Sequence, residues 1–343
     1  MHIFLWCGFI LFILGMLAID LGLLRPKARV MSSSEALRWS GFCCLLAVLF
    51  SGAIYLLYEY GVMGVVAELR LQDTLSTENP ASAEVKSGLG MLPHSGAEAA
   101  MQFLTAWIVE QSLSIDNIFV IAIIFSFFKI PLQHQHRVLF WGILGALIMR
   151  GGMIAIGATL ISSFSWVNYL FGALLLYAAA KLLFVKEDSF DPSSSRLYKL
   201  GTRFLPTTKE MHGEKFYIRK EGRYLATPLF LVLIVIESTD LLFAFDSIPA
   251  VFAITSDPFL VFTSNVFAIL NLRSLYFALA ALISRFRYLK VALVGVLFFI
   301  GVKMLIASVF HIPTAWSMVV ILGALSIGIL ASYVPSKGRR CEG

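Results

Sequence analysis

Stretches of about twenty mostly apolar residues recur along the chain, at 3–24, 40–66, 99–128, 138–161, 166–185, 228–253, 259–284, 291–310 and 315–334. Each is long enough to cross a bilayer's hydrocarbon core of about 30 Å as a helix. The pattern predicts an all-α, polytopic membrane protein of about nine transmembrane helices. Two longer polar segments interrupt it. Residues 67–98 are rich in Glu, Ser and Gly and read as an external loop. Residues 186–227 are basic, contain Pro192, Pro206 and Gly213, and hold a stretch at 215–224 expected to pair as a short hairpin. Only Met1 and His2 precede the first apolar run, and Arg25-Pro26-Lys27 closes it. The run therefore reads as a retained span rather than a cleaved leader.

Composition agrees with lipid as the solvent. The 343 residues are 59% hydrophobic and 14% charged, against roughly 45–50% and about 25% in soluble domains. The net charge of +6 becomes a topology signal once the charges are placed. Of the 27 Lys and Arg, Arg70 and Lys86 fall on one side and Arg150, Lys181, Arg273 and Lys303 inside spans, which leaves 21 on the other side. The positive-inside rule then puts the N-terminus outside and the C-terminus in the cytoplasm, with the bilayer and not nucleic acid as the partner of the basic face. Cys7, Cys43, Cys44 and Cys341 form no CxxC, so neither a disulfide framework nor a zinc site is expected.

The chemistry lies in the acids. An ionised side chain at mid-bilayer costs about 2.5–3.5 kcal/mol on the insertion scale. Glu110 and Asp116 lie in the third span and Glu237, Asp240 and Asp246 in the sixth, while Asp20 lies near the inner end of the first. The bland use of such acids is to pair with Arg150, Arg273, Lys181 and Lys303 and lock the bundle. Intramembrane ionisable groups are more often functional, and Ser112, Ser114, Asn117, Ser238, Thr239 and Ser247 stand beside them. Oxygen-only surroundings suit hard divalent cations such as Mn²⁺, Mg²⁺ or Ca²⁺. Asn265 and Asn271 are further neutral oxygen donors, with interhelical hydrogen bonding as their competing use. His134 and His136 sit at an inner loop, where a solvated role is favoured over a metal pair. The glycines at 142, 145, 151, 152 and 157 read as sites of close helix approach. Glu110 and Asp116, like Asp240 and Asp246, are six residues apart, so a straight helix turns the two acids of each pair to different faces. A break near Pro249, which leaves the Phe245 carbonyl without its helical partner, would bring the second pair together.

A repeat is legible. Aligning Asp116 with Asp246 puts Glu110 on Asp240 and Asn117 on Ser247. An arginine follows one span later in each copy (Arg150, Arg273), and a lysine one span after that (Lys181, Lys303). Three spans is an odd number, so the copies would enter the membrane from opposite sides, as in transporters with ion sites at mid-bilayer. The arginines and lysines would offset the acids when the ion is absent. The chain is thus expected to divide into the first two helices (1–66), the external loop (67–98), a three-helix repeat (99–185), the cytoplasmic basic loop (186–227), the inverted repeat (228–310), and a last helix with a basic tail (311–343).

Glu110-Gln-Ser-Leu-Ser-Ile-Asp116-Asn117 and Glu237-Ser-Thr-Asp240-Leu-Leu-Phe-Ala-Phe-Asp246-Ser-Ile-Pro resemble the signature segments of the TerC family. Thr263-Ser-Asn265-Val-Phe-Ala-Ile-Leu-Asn271-Leu-Arg273 is similar to the segment that follows them, and Tyr217-Ile-Arg-Lys-Glu-Gly to the hairpin that enters the sixth span. The resemblance is nearest to the Alx branch, bacterial inner-membrane proteins. It implies export or homeostasis of Mn²⁺, with stress-response and tellurite-resistance associations elsewhere in the family. It also implies that Glu110, Asp116, Glu237, Asp240 and Asp246 are the family's acidic residues; with Asn117 beside them they are the expected metal set, and the residue pattern places Asn265, Asn271, Ser247, Arg150, Arg273, Lys181 and Lys303 behind it. A redox-modulator role has been attached to the same branch, although no paired cysteines or cofactor motif support it here.

The residues therefore predict a secondary transporter that moves a divalent metal ion outward, most of all manganese, with no permanently bound cofactor and no enzymatic reaction. The alternative is a membrane scaffold or stress-response protein acting through protein partners that the sequence does not name. An intramembrane aspartyl protease is disfavoured, because no aspartate follows a Gly-x-Gly.

Overall fold

A computed structural model of the chain describes residues 2–20, 33–60, 92–164, 166–184, 208, 213, 215–220, 223–279, 288–306, 312 and 314–333. The side chains of Asp20, Asp116, Lys181 and Asp246 fall outside that description, as do residues 67–91, most of 186–214 and the tail from 334. The described elements run α1 (His2–Asp20), α2 (Ser33–Glu59), α3 (Gly96–Phe127), α4 (Leu132–Ser163), α5 (Val167–Phe184), β1 (Tyr217–Lys220), β2 (Arg223–Ala226), α6 (Pro228–Phe252), α7 (Pro258–Leu279), α8 (Leu289–Ile306) and α9 (Thr314–Tyr333). Six of these helices, α2, α3, α4, α6, α7 and α9, are long and apolar enough to cross a membrane. Helices α1, α5 and α8 carry shorter apolar stretches. Leu11, Ile148, Ile327 and Leu330 project outward, which a surface in contact with lipid allows and one in contact with water does not favour.

The helix ends follow local chemistry. Ser95 caps α3 by accepting from the Glu98 amide at 3.2 Å, and Glu98 Oε2 accepts from the His94 amide at 2.9 Å. At the other end, Lys129 takes a left-handed φ of 52°. The Ile130 amide returns to the Phe125 carbonyl and the Lys129 amide to that of Ser126, which turns the chain sharply into α4. Helix α6 starts on Pro228, whose missing N–H is one the first turn does not need. Asp257 starts α7, its Oδ1 accepting from the amides of Phe259 and Leu260. The hairpin forms with Tyr217 opposite Ala226 and Lys220 opposite Arg223, two residues later at its far end than the sequence places it.

Helix α6 runs without a break through Pro249 to Phe252, and the Ala253 amide bonds back to the Pro249 carbonyl at 3.0 Å. A proline removes one ladder bond, and the flanking apolar packing of Ile248, Val251 and Phe252 holds the rest.

Helix α7 is buried almost throughout and sits at the centre, packed on α2, α3 and α4. Phe50 of α2, Phe103 of α3 and Phe267 of α7 meet with ring centroids 4.9 to 5.8 Å apart, and Phe9 of α1 joins them. Helix α4 lies on α6, and α5 lies on α8. The last pair approaches most closely at two glycines: a Cβ on Gly301 would stand 3.1 Å from the Gly172 carbonyl oxygen.

Candidate cation centre

Asp240 lies twelve residues from either end of α6, or about 18 Å along the helix. Glu110 lies fourteen residues from the start of the 32-residue α3. These two carboxylates, from the two halves of the chain, meet at Arg150 of α4. Arg150 Nη1 donates to Glu110 Oε2 at 2.8 Å, Nη2 to Asp240 Oδ1 at 3.1 Å and Nε to Asp240 Oδ2 at 3.3 Å. Asn265 of α7 closes the ring: its Oδ1 accepts from Arg150 Nη1 at 3.1 Å and its Nδ2 donates to Glu110 Oε1 at 2.7 Å. Asn117, two turns below Glu110 on α3, donates to Asp240 Oδ1 at 3.4 Å. Glu110, Arg150, Asn117 and Asn265 are all under 5% exposed and the Asp240 side chain is 12% exposed, so the network is largely enclosed and its charges largely satisfy one another.

Glu237 stands one turn before Asp240 on α6. Its Oε2 is buried with no hydrogen-bond partner among the described residues. The carboxylate rests on the backbone of α4, where a Cβ at Gly145 would come 2.0 Å from Oε1. Gly145 therefore does more than let two helices approach: its missing side chain makes room for an acid. Only its place five residues before Arg150 could have hinted at this. Ser247, the counterpart of Asn117 in the repeat, is buried with its hydroxyl beside the Glu110 carboxylate.

Other residues that stand out in the sequence take different places once their side chains are seen. The hydroxyls of Ser112, Ser238 and Thr239 turn back to the carbonyls of Ile108, Ile234 and Val235 on their own helices, the habit of such groups in apolar surroundings. Asn271 leaves the centre and donates to Cys44 Sγ of α2 at 3.8 Å. Arg273 does not repeat the role of Arg150. It lies at the far end of α7, and its Nη1 meets His136 Nε2 of α4 at 2.7 Å. Beside it Tyr276 donates to Gln135 Oε1 at 2.8 Å. Lys303 is buried in α8 and makes no ion pair among the described residues. Asp116 and Asp246 lie in α3 and α6, with side chains outside the description, as is that of Lys181. Among the described residues no three of His, Cys, Asp and Glu come together as a metal cluster. Cys7, Cys43 and Cys44 form no disulfide among the described residues.

Long apolar helices wrapped around a largely enclosed, charged centre define a polytopic α-helical integral membrane protein. The family described as integral membrane protein TerC family matches residues 95–340, and the chain belongs to it. It is 41% identical to the "Uncharacterized membrane protein STKORF319" of Myxococcus xanthus, over 97% of this chain and 93% of that protein. It is 41% identical to the "Putative membrane-bound redox modulator Alx" of Escherichia coli strain K12, over 94% of this chain and 91% of that protein. An uncharacterized membrane protein of Rickettsia bellii is 39% identical over 96% of this chain and 97% of its own length. No solved structure matches.

Proposed function

We propose that the chain is a non-enzymatic secondary transporter that exports a divalent cation, foremost Mn²⁺, across the bacterial inner membrane. One observation carries the reading: Glu110 and Asp240, matched acids of the two repeats, share one buried arginine halfway along their helices. Acids held at that depth are expensive unless a passing charge uses them. The donors around them are carboxylate and amide oxygens, the set hard divalent ions prefer. In this reading Asp116 and Asp246, six residues further along each helix, extend the ion's path.

Nine spans with the N-terminus outside and the C-terminus inside fit both the lysine and arginine distribution and the packing. Matched helices touch: α3 meets α6, α4 meets α7 and α5 meets α8. Such pairing supports an inverted repeat around a pseudo-two-fold axis, and alternating access would rock one copy against the other.

Flux of Mn²⁺, Ca²⁺, Mg²⁺ and Zn²⁺ into proteoliposomes tests the reading. The intact chain carries Mn²⁺, while Glu110→Gln and Asp240→Asn stay folded and lose flux. Unchanged flux in both variants refutes it. A lumenal pH change in step with Mn²⁺ flux would identify protons as the exchanged ion. The printed name of the Escherichia coli relative favours a second reading, a redox or stress-response component acting through protein partners. On that reading the two variants lose captured partners and have no flux to lose.

A further inference from the structure

We infer that Arg150 is a tethered rival of the transported cation: it fills the cation's place between Glu110 and Asp240, and the ion binds only as Arg150 swings to Glu237. The inference rests on the Glu110–Asp240 centre being a cation site, as proposed above.

The hydrogen bonds leave an incoming ion no vacancy. Both oxygens of Asp240 accept from the guanidinium, as does Glu110 Oε2, and Glu110 Oε1 accepts from Asn265. The Asn265 carbonyl oxygen, the neutral donor nearest them, is also taken by Arg150. Five oxygens that would suit a hard cation are thus occupied, four of them by one side chain. Divalent ions sit about 2.0–2.6 Å from oxygen, closer than the 2.8 to 3.3 Å of these bonds. A metal and the guanidinium cannot share the centre.

Charge points the same way. Ionised Glu110 and Asp240 with Arg150 sum to one negative charge, and a divalent ion added with Arg150 in place would leave plus one between those two acids. Moving Arg150 to Glu237 keeps the total and divides it into two neutral groups, the two acids with the ion and Glu237 with the arginine.

The released arginine needs an acceptor, and one is adjacent. Glu237 lies one turn from Asp240 towards the start of α6, and its Oε2 is buried with no hydrogen-bond partner among the described residues. It rests against Gly145, which lies towards the start of α4 from Arg150. The exchange turns Arg150 towards the start of its own helix, the direction in which helical side chains lean.

Titration of the purified full-length chain with Mn²⁺, followed by the six-line electron paramagnetic resonance signal of the free ion, tests this. Removing the rival tightens binding: Arg150→Gln lowers the Kd at least about tenfold, and Arg150→Lys, which keeps the charge and loses the fork, falls between. Removing the acceptor weakens it: Glu237→Gln raises the Kd about tenfold in the intact chain and leaves it unchanged when Arg150 is already Gln. Binding by the intact chain with no tightening in either Arg150 variant overturns the inference and spares the proposed function. An equal loss from Glu237→Gln in both backgrounds makes Glu237 a direct ligand and overturns the exchange. No Mn²⁺ binding by the intact chain or any variant overturns both. If Arg150→Gln fails to fold, Arg150→Lys carries the test.

Discussion

Replacing Gly145 with alanine puts a methyl group where the Glu237 carboxylate now rests. The new Cβ would lie 2.0 Å from Oε1, 2.5 Å from Cδ and 2.6 Å from Oε2. Ordinary contact begins near 3.4 Å, so the carboxylate has to retreat by about 1.4 Å. The atoms that move are the end of a flexible side chain, and alanine is up to about 1 kcal/mol better than glycine inside a helix. The fold therefore survives while the acid shifts. Misplacement of about 1 Å in a positioned polar centre can lower a rate on the order of a hundredfold, so Mn²⁺ flux in proteoliposomes should fall by about ten- to a hundredfold. Gly142→Ala is the control. It lies one turn earlier on α4, and its nearest neighbour is the Ile236 Cγ2 methyl at 3.7 Å, so flux should stay at the original level. Thermal unfolding in detergent should give midpoints for both variants close to the parent. If Gly145→Ala transports as fast as Gly142→Ala, the position of the Glu237 carboxylate does not matter to transport.

Three further outcomes follow from the packing. Tyr58→Phe deletes the 2.6 Å bond from its hydroxyl to Asp257 Oδ2. It should lower stability by about 1.5–3 kcal/mol, the range for bonds to charged groups, read as a lower thermal midpoint. Gly301→Val forces α5 and α8 apart, since its Cβ alone would stand 3.1 Å from the Gly172 carbonyl oxygen, and should destabilise by about 1–3 kcal/mol in the same assay. Tyr276→Phe leaves Gln135 Oε1 without its donor; unfolding should show a loss of about 1 kcal/mol, and no change in midpoint would mean that the α4–α7 contact there carries no energy.

Hydropathy found the nine helices among the described residues, because a segment in lipid must satisfy its backbone internally and needs a minimum length. It erred at the ends, where caps decide. The second span begins at Ser33 and not near residue 40, because Ser33, Glu35 and Arg38 in its first turns look like loop to a hydropathy average. The acids and Arg150 were legible because a charge in an apolar run is conspicuous. Their partners were not. The repeat makes Arg150 and Arg273 look alike, yet Arg150 lies at the middle of the bundle and Arg273 at its end, where His136 meets it. Which of Asn265 and Asn271 faces the acids depends on the rotation of α7, and six residues turn a helix by about 240°. Asp257 drew no notice, since an aspartate before a proline reads as a turn; three-dimensional packing makes it both the start of α7 and the partner of Tyr58.

The last turn of α2 joins two helices that belong to different halves of the chain. Tyr58 holds the start of α7 through Asp257, and Glu59 Oε2 accepts from the Gly96 amide that opens α3, at 2.9 Å. Helices α1 and α2 precede the residues that define the family, yet they supply this rivet. If one copy rocks against the other, the two would stay fastened at this end, which makes it the pivot and leaves the opposite end free to part.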